Sequence, residues 1–183
     1  MAEIVAQTYA GALFDAASDL QNTDEVQQAL LEIGGYFAEN PGFVKLLSSP
    51  QISREEKQSV LDAVFEGRIQ EQTLNLLRLL IDNGRIREYP AICQKYKELY
   101  NKYYSILEIT AVTAVKLRPE LAEKLAQKLS AGTGKKVVIH NQVDASVLGG
   151  IKLICGNQEA DSSLRTRLRG IGEQLRSTIV QPS

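Results

Sequence analysis

Several things are scarce in this 183-residue chain, and each scarcity excludes something. It has one histidine, His140, and two cysteines, Cys93 and Cys155. A metal site normally needs three or four converging ligands, and His140 has no Cys or His at metal-ligand spacing. A single imidazole also favours no Ser/His/Asp or Cys/His arrangement. The two cysteines lie far apart in sequence, which reads as two buried or free thiols rather than as a staple, and suits a reducing cytoplasm. No window approaches 18 consecutive apolar residues, so no helix is expected to span a membrane. The opening MAEIVAQTYAGALF carries an acid where a signal peptide carries base. Excess charge is missing too: the net charge is −1 and the pI about 5.9, which weighs against a nucleic-acid module.

What is present is ordinary globular material, 44% hydrophobic and 23% charged. The small net charge conceals an asymmetry. Residues 1–105 hold 10 Lys+Arg against 15 Asp+Glu, and residues 106–183 hold 11 against 7. Parts of opposite charge point to two domains with different partners.

The first part reads as six helices. Over residues 3–20 the stripe is Tyr9, Leu13, Ala16 and Leu20, among many small residues that allow another helix to approach. Asn22 with Glu25 predicts a capping box at the second helix, and Ser53 with Glu56 another at the fourth. Asn40-Pro41 predicts the start of a short third helix. The fifth, about 69–83, is apolar on more than one face through Leu74, Leu76, Leu77, Leu79, Leu80 and Ile81. Such a helix is wholly buried or shared with a partner. Gly84 suits its left-handed cap. A sixth helix from about Glu88 carries a core stripe of Ile92, Tyr96, Leu99 and Tyr103. Its tyrosines form either a binding platform or core with hydroxyls at the rim, and core is favoured.

From about Ser105 the pattern changes. Ile106–Val115 is β-branched and alternating. A helix follows from Arg118-Pro119 to about Ser130, closed by Gly132. Strands at 136–141 and 148–155 come next, then a last helix over 162–178 with Leu164, Leu168, Ile171 and Leu175 on one stripe. The fold class is therefore mainly α with a smaller α/β part: an N-terminal six-helix bundle over 1–105, then a small α/β domain over 106–183. Its order is strand, helix, strand, strand, helix.

Two motifs invite chemistry. Ala131-Gly132-Thr133-Gly134-Lys135-Lys136 resembles the end of a P-loop. However, Leu129 holds the early glycine position, Lys136 replaces the magnesium-binding hydroxyl, and the helix-to-strand order is reversed. A helix cap and turn is the better reading. Arg165, Arg167, Arg169 and Arg176 form a basic cluster on the last helix. With no interleaved aromatics, a solvated face or a dock for an acidic protein is preferred to nucleic acid.

Three stretches carry a resemblance. The opening VAQTYAGALFDAA holds a Tyr-Ala-x-Ala-Leu-Phe signature. Residues 75–85, NLLRLLIDNGR, end in Asn-Gly-Arg. The tail places Asp144, Gly149-Gly150, Gly156, Asp161, Ser162-Ser163, Arg165 and Arg167-Leu168 in order. Together, in order and over the whole chain, they resemble the delta subunit family of F-type ATP synthases, whose mitochondrial relative is the oligomycin sensitivity-conferring protein. The resemblance implies a non-catalytic stator subunit with no cofactor and no metal. In that family the helical domain takes the amphipathic N-terminal helix of a catalytic-head alpha subunit into a groove between its first and fifth helices. The second domain holds the C-terminal ends of the peripheral-stalk b subunits.

Carried onto this sequence, the head-binding residues are Tyr9, Ala12, Leu13, Phe14, Leu76, Leu79, Leu80, Asn83, Gly84 and Arg85. The C-terminal signature residues are Gly149, Gly150, Gly156, Asp161, Ser163 and Arg165, the glycines for close backbone approach or a bulge and Asp161 and Ser163 as caps of the last helix. The expected protein is a monomer when isolated and present as one copy per complex. It is peripheral on the cytoplasmic face of a bacterial plasma membrane, without direct membrane insertion or nucleic-acid binding. The family commonly has apolar residues just before the aspartate, where this chain has Glu159 and Ala160. That departure argues against a regular last strand.

Overall fold

The computed structural model describes residues 2–147, 149–156 and 158–161. The protein is mainly helical with a small sheet, and it divides into two compact units, 1–103 and 104–183. The first unit contains α1 (Ala2–Asp19), α2 (Thr23–Glu39), α3 (Pro41–Ser48), α4 (Arg54–Phe65), α5 (Glu71–Asp82), a 3-10 turn (Ile86–Glu88) and α6 (Tyr89–Tyr103). The second contains β1 (Ile106–Thr113), α7 (Pro119–Thr133), β2 (Lys136–Val143), β3 (Ile151–Cys155) and β4 (Gln158–Asp161).

The helical core is built where apolar stripes meet. On α1 the buried row is Ala6, Ala10, Leu13 and Ala17. The expected stripe ending at Leu20 is therefore rotated. Leu20 is 63% exposed, because α1 ends at Asp19 and the chain turns through Gln21 at φ +56°. Small side chains in that row bring α1 close to α6, where Phe14 meets Tyr96 edge-on at 5.5 Å. Phe37 of α2 packs on Tyr89 at 5.0 Å and joins Phe43 and Phe65 in one aromatic cluster.

The tyrosines of α6 divide. Tyr89 and Tyr96 are buried and donate hydroxyls to the Leu30 and Thr23 carbonyls, at 3.0 and 3.2 Å. Core with satisfied hydroxyls is what burial of tyrosine requires. Tyr103 and Tyr104 are exposed.

Caps fix the helix ends. Ser53 and Glu56 form the expected capping box, with Glu56 N–H donating to Ser53 Oγ at 3.2 Å and Ser53 N–H to Glu56 Oε2 at 3.1 Å. The box expected at Asn22 does not form, since its side chain instead accepts a hydrogen bond from Gln72 at 2.8 Å. At Asn40 the amide donates backwards to the Tyr36 carbonyl, so it closes α2 while Pro41 opens α3.

The sheet order is β2-β1-β3-β4. β1 runs parallel to β2, from Ile106↔Lys136 to Thr113↔Val143, and α7 is the crossover between them. β1 and β3 are antiparallel, as are β3 and β4. Central β1 holds the buried residues Ile109, Ala111, Val112 and Thr113. The fourth strand corrects the expectation drawn from Glu159 and Ala160: both pair with β3, opposite Ile154 and Leu153. Helix α7 also runs further than expected, to Thr133, and is capped by Gly134 rather than Gly132. Gly134 has φ +68°, a left-handed conformation that glycine adopts without a Cβ penalty.

Candidate docking groove

Two helix faces form a groove on the first unit. α1 contributes Tyr9, Ala12, Leu13 and Ala16, and α5 contributes Gln72, Asn75, Leu76 and Leu79. Each set follows the spacing of a single helix face. The groove encloses about 240 Å³. Leu13 and Leu76 are buried at its base, while Ala12 and Ala16 keep the α1 wall low. Leu79 stands 47% exposed on the wall, an apolar side chain that the fold leaves uncovered.

Polar clamps hold the two helices at both ends. Asn83 Nδ2 donates to Tyr9 Oη at 3.2 Å and to the Leu79 carbonyl at 2.9 Å. Gln72 Nε2 donates to Asn22 Oδ1 just beyond the other end of α1. These pairings set α1 and α5 antiparallel. Against α4, Arg78 makes a two-pronged contact with Asp62 Oδ1, at 2.9 and 3.0 Å, and Gln58 donates to Asp82 at 2.7 Å. α5 is thus committed on three sides: Leu74, Leu77, Leu80 and Ile81 to the core, Arg78 and Asp82 to α4, and Leu76 and Leu79 to the groove.

The ten expected head-binding residues separate on this geometry. Tyr9, Ala12, Leu13, Leu76 and Leu79 line the groove, and Asn83 braces its end. Leu80 is 0% exposed and serves the core. Phe14 turns to α6, edge-on to Tyr96 and Tyr103. Gly84 and Arg85 close α5: Gly84 N–H donates to the Ile81 carbonyl and Arg85 N–H to the Leu80 carbonyl, the paired bonds of a Schellman cap. Ala16, Gln72 and Asn75 belong to the groove and were not among the expected residues. Steps of three and four residues from Leu13, Leu76 and Leu79 would have found them.

In the second unit, Gly149 and Gly150 line a cavity of about 280 Å³ with the turn between β1 and α7. Asn141 organises that turn, donating to the Ala111 carbonyl and Thr113 Oγ1 and accepting from Leu117 N–H at 2.8 Å. Gly149, Gly150 and Gly156 all have positive φ, at 140°, 87° and 55°. Gly156 lies at the opposite end of β3, in the turn to β4, so the structure does not gather the three glycines at one site. Asp161 pairs with Lys152 near the Gly149-Gly150 end. Ser163, Arg165 and the rest of the expected last helix, with its caps and basic cluster, lie outside the described residues.

Other candidate chemistry resolves into packing. Thr133 Oγ1 donates to the Leu129 carbonyl at 2.7 Å and accepts Lys135 N–H at 3.4 Å, so the P-loop-like segment is a helix cap. His140 Nε2 faces Glu108 Oε1 at 3.8 Å on the neighbouring strand. No group of three or more His, Cys, Asp or Glu among the described residues could hold a metal ion. No helix among them is long and apolar enough to cross a membrane.

Fold and surface together define a two-unit, mainly helical protein with a helix-lined groove on one unit and glycine-bearing turns on the other. Comparison with known proteins places it more narrowly. The chain belongs to the ATP synthase delta (OSCP) subunit family, which it matches over residues 5–175. It is 33% identical to the ATP synthase subunit delta of Alkaliphilus oremlandii over 98% of this chain and 100% of that protein. It is 36% identical to the subunit delta of Lactobacillus gasseri, over 94% and 95%. Among solved structures, a chain of the Toxoplasma gondii mitochondrial ATP synthase hexamer shares the fold. Its TM-score is 0.71 at 22% identity, over 97% of this chain and 98% of that one. The family's members are structural subunits of the F-type ATP synthase and not its catalytic ones.

Proposed function

We propose that this chain is the stator connector of a rotary F-type ATP synthase, joining the catalytic head to the peripheral stalk so that the head does not turn with the rotor. Its helical unit, an N-terminal six-helix bundle, takes the N-terminal amphipathic helix of a head alpha subunit into the α1/α5 groove. Its second unit holds the C-terminal ends of the stalk b subunits; the resemblance offers Gly149, Gly150, Gly156, Asp161, Ser163 and Arg165 as candidates for that contact, at more than one place on the unit. It acts as one copy per complex, peripheral on the cytoplasmic face of a bacterial plasma membrane.

The observation that carries this reading is Leu79. An exposed leucine facing a low wall of alanines over a floor of Leu13 and Leu76, on a helix already packed on two other sides, needs an apolar partner to leave water. An amphipathic helix laid in a groove supplies one. A peptide copying the cognate alpha-subunit N-terminus should bind the full chain and shift NMR resonances of Ala12, Ala16, Asn75 and Leu79. Leu79→Asp should weaken binding at least about tenfold, since a carboxylate would lose its water against the apolar face. The helical signal should be retained, because Leu79 contributes little to the core. Undiminished binding by a folded Leu79→Asp variant would place the partner elsewhere.

A further inference from the structure

A larger cavity lies on another part of the helical unit and shares no residue with the α1/α5 groove. It measures about 630 Å³, within the range of roughly 300–1,000 Å³ typical of small-molecule sites. Its walls come from α2, α3, the 3-10 turn and α6, with Leu30, Phe37, Val44, Ile86 and Tyr89 prominent. Leu31 stands 58% exposed beside it.

Two features define what fits. Gly34 and Gly35 lie in mid-α2, where glycine is a poor helix former. A Cβ built at either meets nothing within 4 Å, and neither has positive φ. Neither close packing nor backbone conformation therefore calls for glycine here. Both line the cavity, so α2 presents bare backbone to it there. The second feature is the distribution of polarity. Tyr89 Oη is already spent on the Leu30 carbonyl at 3.0 Å, and Cys93 Sγ points to the same carbonyl at 3.9 Å. Burial raises the Tyr89 phenol and the Cys93 thiol, the thiol to about 11, so both side chains are neutral at pH 7 and neither adds an anionic charge to the lining. The lining holds no acid, and its charge is the exposed Arg87, whose guanidinium reaches Ser48 Oγ at 3.4 Å.

We propose that this cavity binds a free amphiphile with an elongated apolar body and one anionic head group, the body along Gly34 and Gly35 and the head on Arg87. The interior has no unspent donor for a polar metabolite. One lining base suits a single anion, whereas a membrane surface is held by a cluster of them.

The test is a titration of the isotope-labelled full chain with sodium decanoate below its micelle concentration, followed by amide NMR. Decanol and decyltrimethylammonium serve as uncharged and cationic controls. Saturable shifts are expected at Gly34, Gly35, Ala38, Arg87 and Cys93, with decanol weaker by about fivefold or more and the cation weaker still. Arg87→Gln should bring decanoate to the level of decanol. Gly35→Leu should abolish both while leaving the helical spectrum intact. Should that variant fail to fold, the Arg87→Gln comparison decides. The proposal is overturned by an absence of saturable shifts at these residues, or by equal binding of the anion and the cation. Sedimentation with phosphatidylglycerol vesicles would instead assign the surface to a bilayer. Shifts here with the alpha-subunit peptide but not with decanoate would assign it to a partner helix.

Discussion

At the residue scale, neighbours on α5 have opposite duties. Leu79 and Leu80 are adjacent in sequence and indistinguishable by composition, yet one is half exposed and the other fully buried. Leu80→Ala should cost about 2–5 kcal/mol of stability through loss of contact and a residual cavity. Leu79→Ala should stay within about 0.5 kcal/mol. Urea unfolding of the two variants checks this, and equal costs would mean that Leu79 is core. A pH effect also belongs here. Burial raises the Cys93 thiol from its ordinary 9.0 to about 11, so the folded state holds that proton more tightly than the unfolded chain does. Its contribution is fully present below pH 9 and is lost as pH rises towards 11, at up to about 1.4 kcal/mol per pH unit. Denaturant melts of the wild type and Cys93→Ala between pH 8 and 11 should diverge in that window. Parallel curves would contradict the burial of the thiol.

At the element scale, the sequence predicted helices well and faces less well. The six helical segments, the Ser53–Glu56 box and the Gly84 cap were all legible, because capping chemistry is local. Ser53→Ala should cost about 1 kcal/mol in thermal or urea melts, and no loss would mean the box is solvent-compensated. The face of α1 was read one row off, since Tyr9 and Ala16 are apolar enough to suggest core while the alanine row Ala6, Ala10 and Ala17 does the packing. Asn22 looked like a cap but is used by Gln72, 50 residues away, and no local rule sees such a partner. β4 was missed for the same reason: Glu159 and Ala160 lack a strand pattern, and their extended form comes from pairing with β3. In the groove, Tyr9, Ala12, Leu13, Leu76 and Leu79 are among the residues carried over from the resemblance, whereas the lining residues Ala16, Gln72 and Asn75 are not. Sequence shows that α5 has more apolar surface than one face needs. Only the packing of α4 and the core shows which face remains.

At the scale of the whole molecule, the charge asymmetry now has an architecture. The excess of acids falls in the helical part and the excess of bases in the part that carries the sheet. Two units of opposite charge suit two attachments of different chemistry, as a connector requires. The central claim is that this chain joins head to stalk. It is tested most directly by purifying the tagged full chain from membranes of its own cell and identifying what comes with it by mass spectrometry. The account predicts recovery of both catalytic-head and peripheral-stalk subunits by the wild type, with head subunits reduced in a folded Leu79→Asp variant. Recovery of neither by a folded wild-type bait would contradict it.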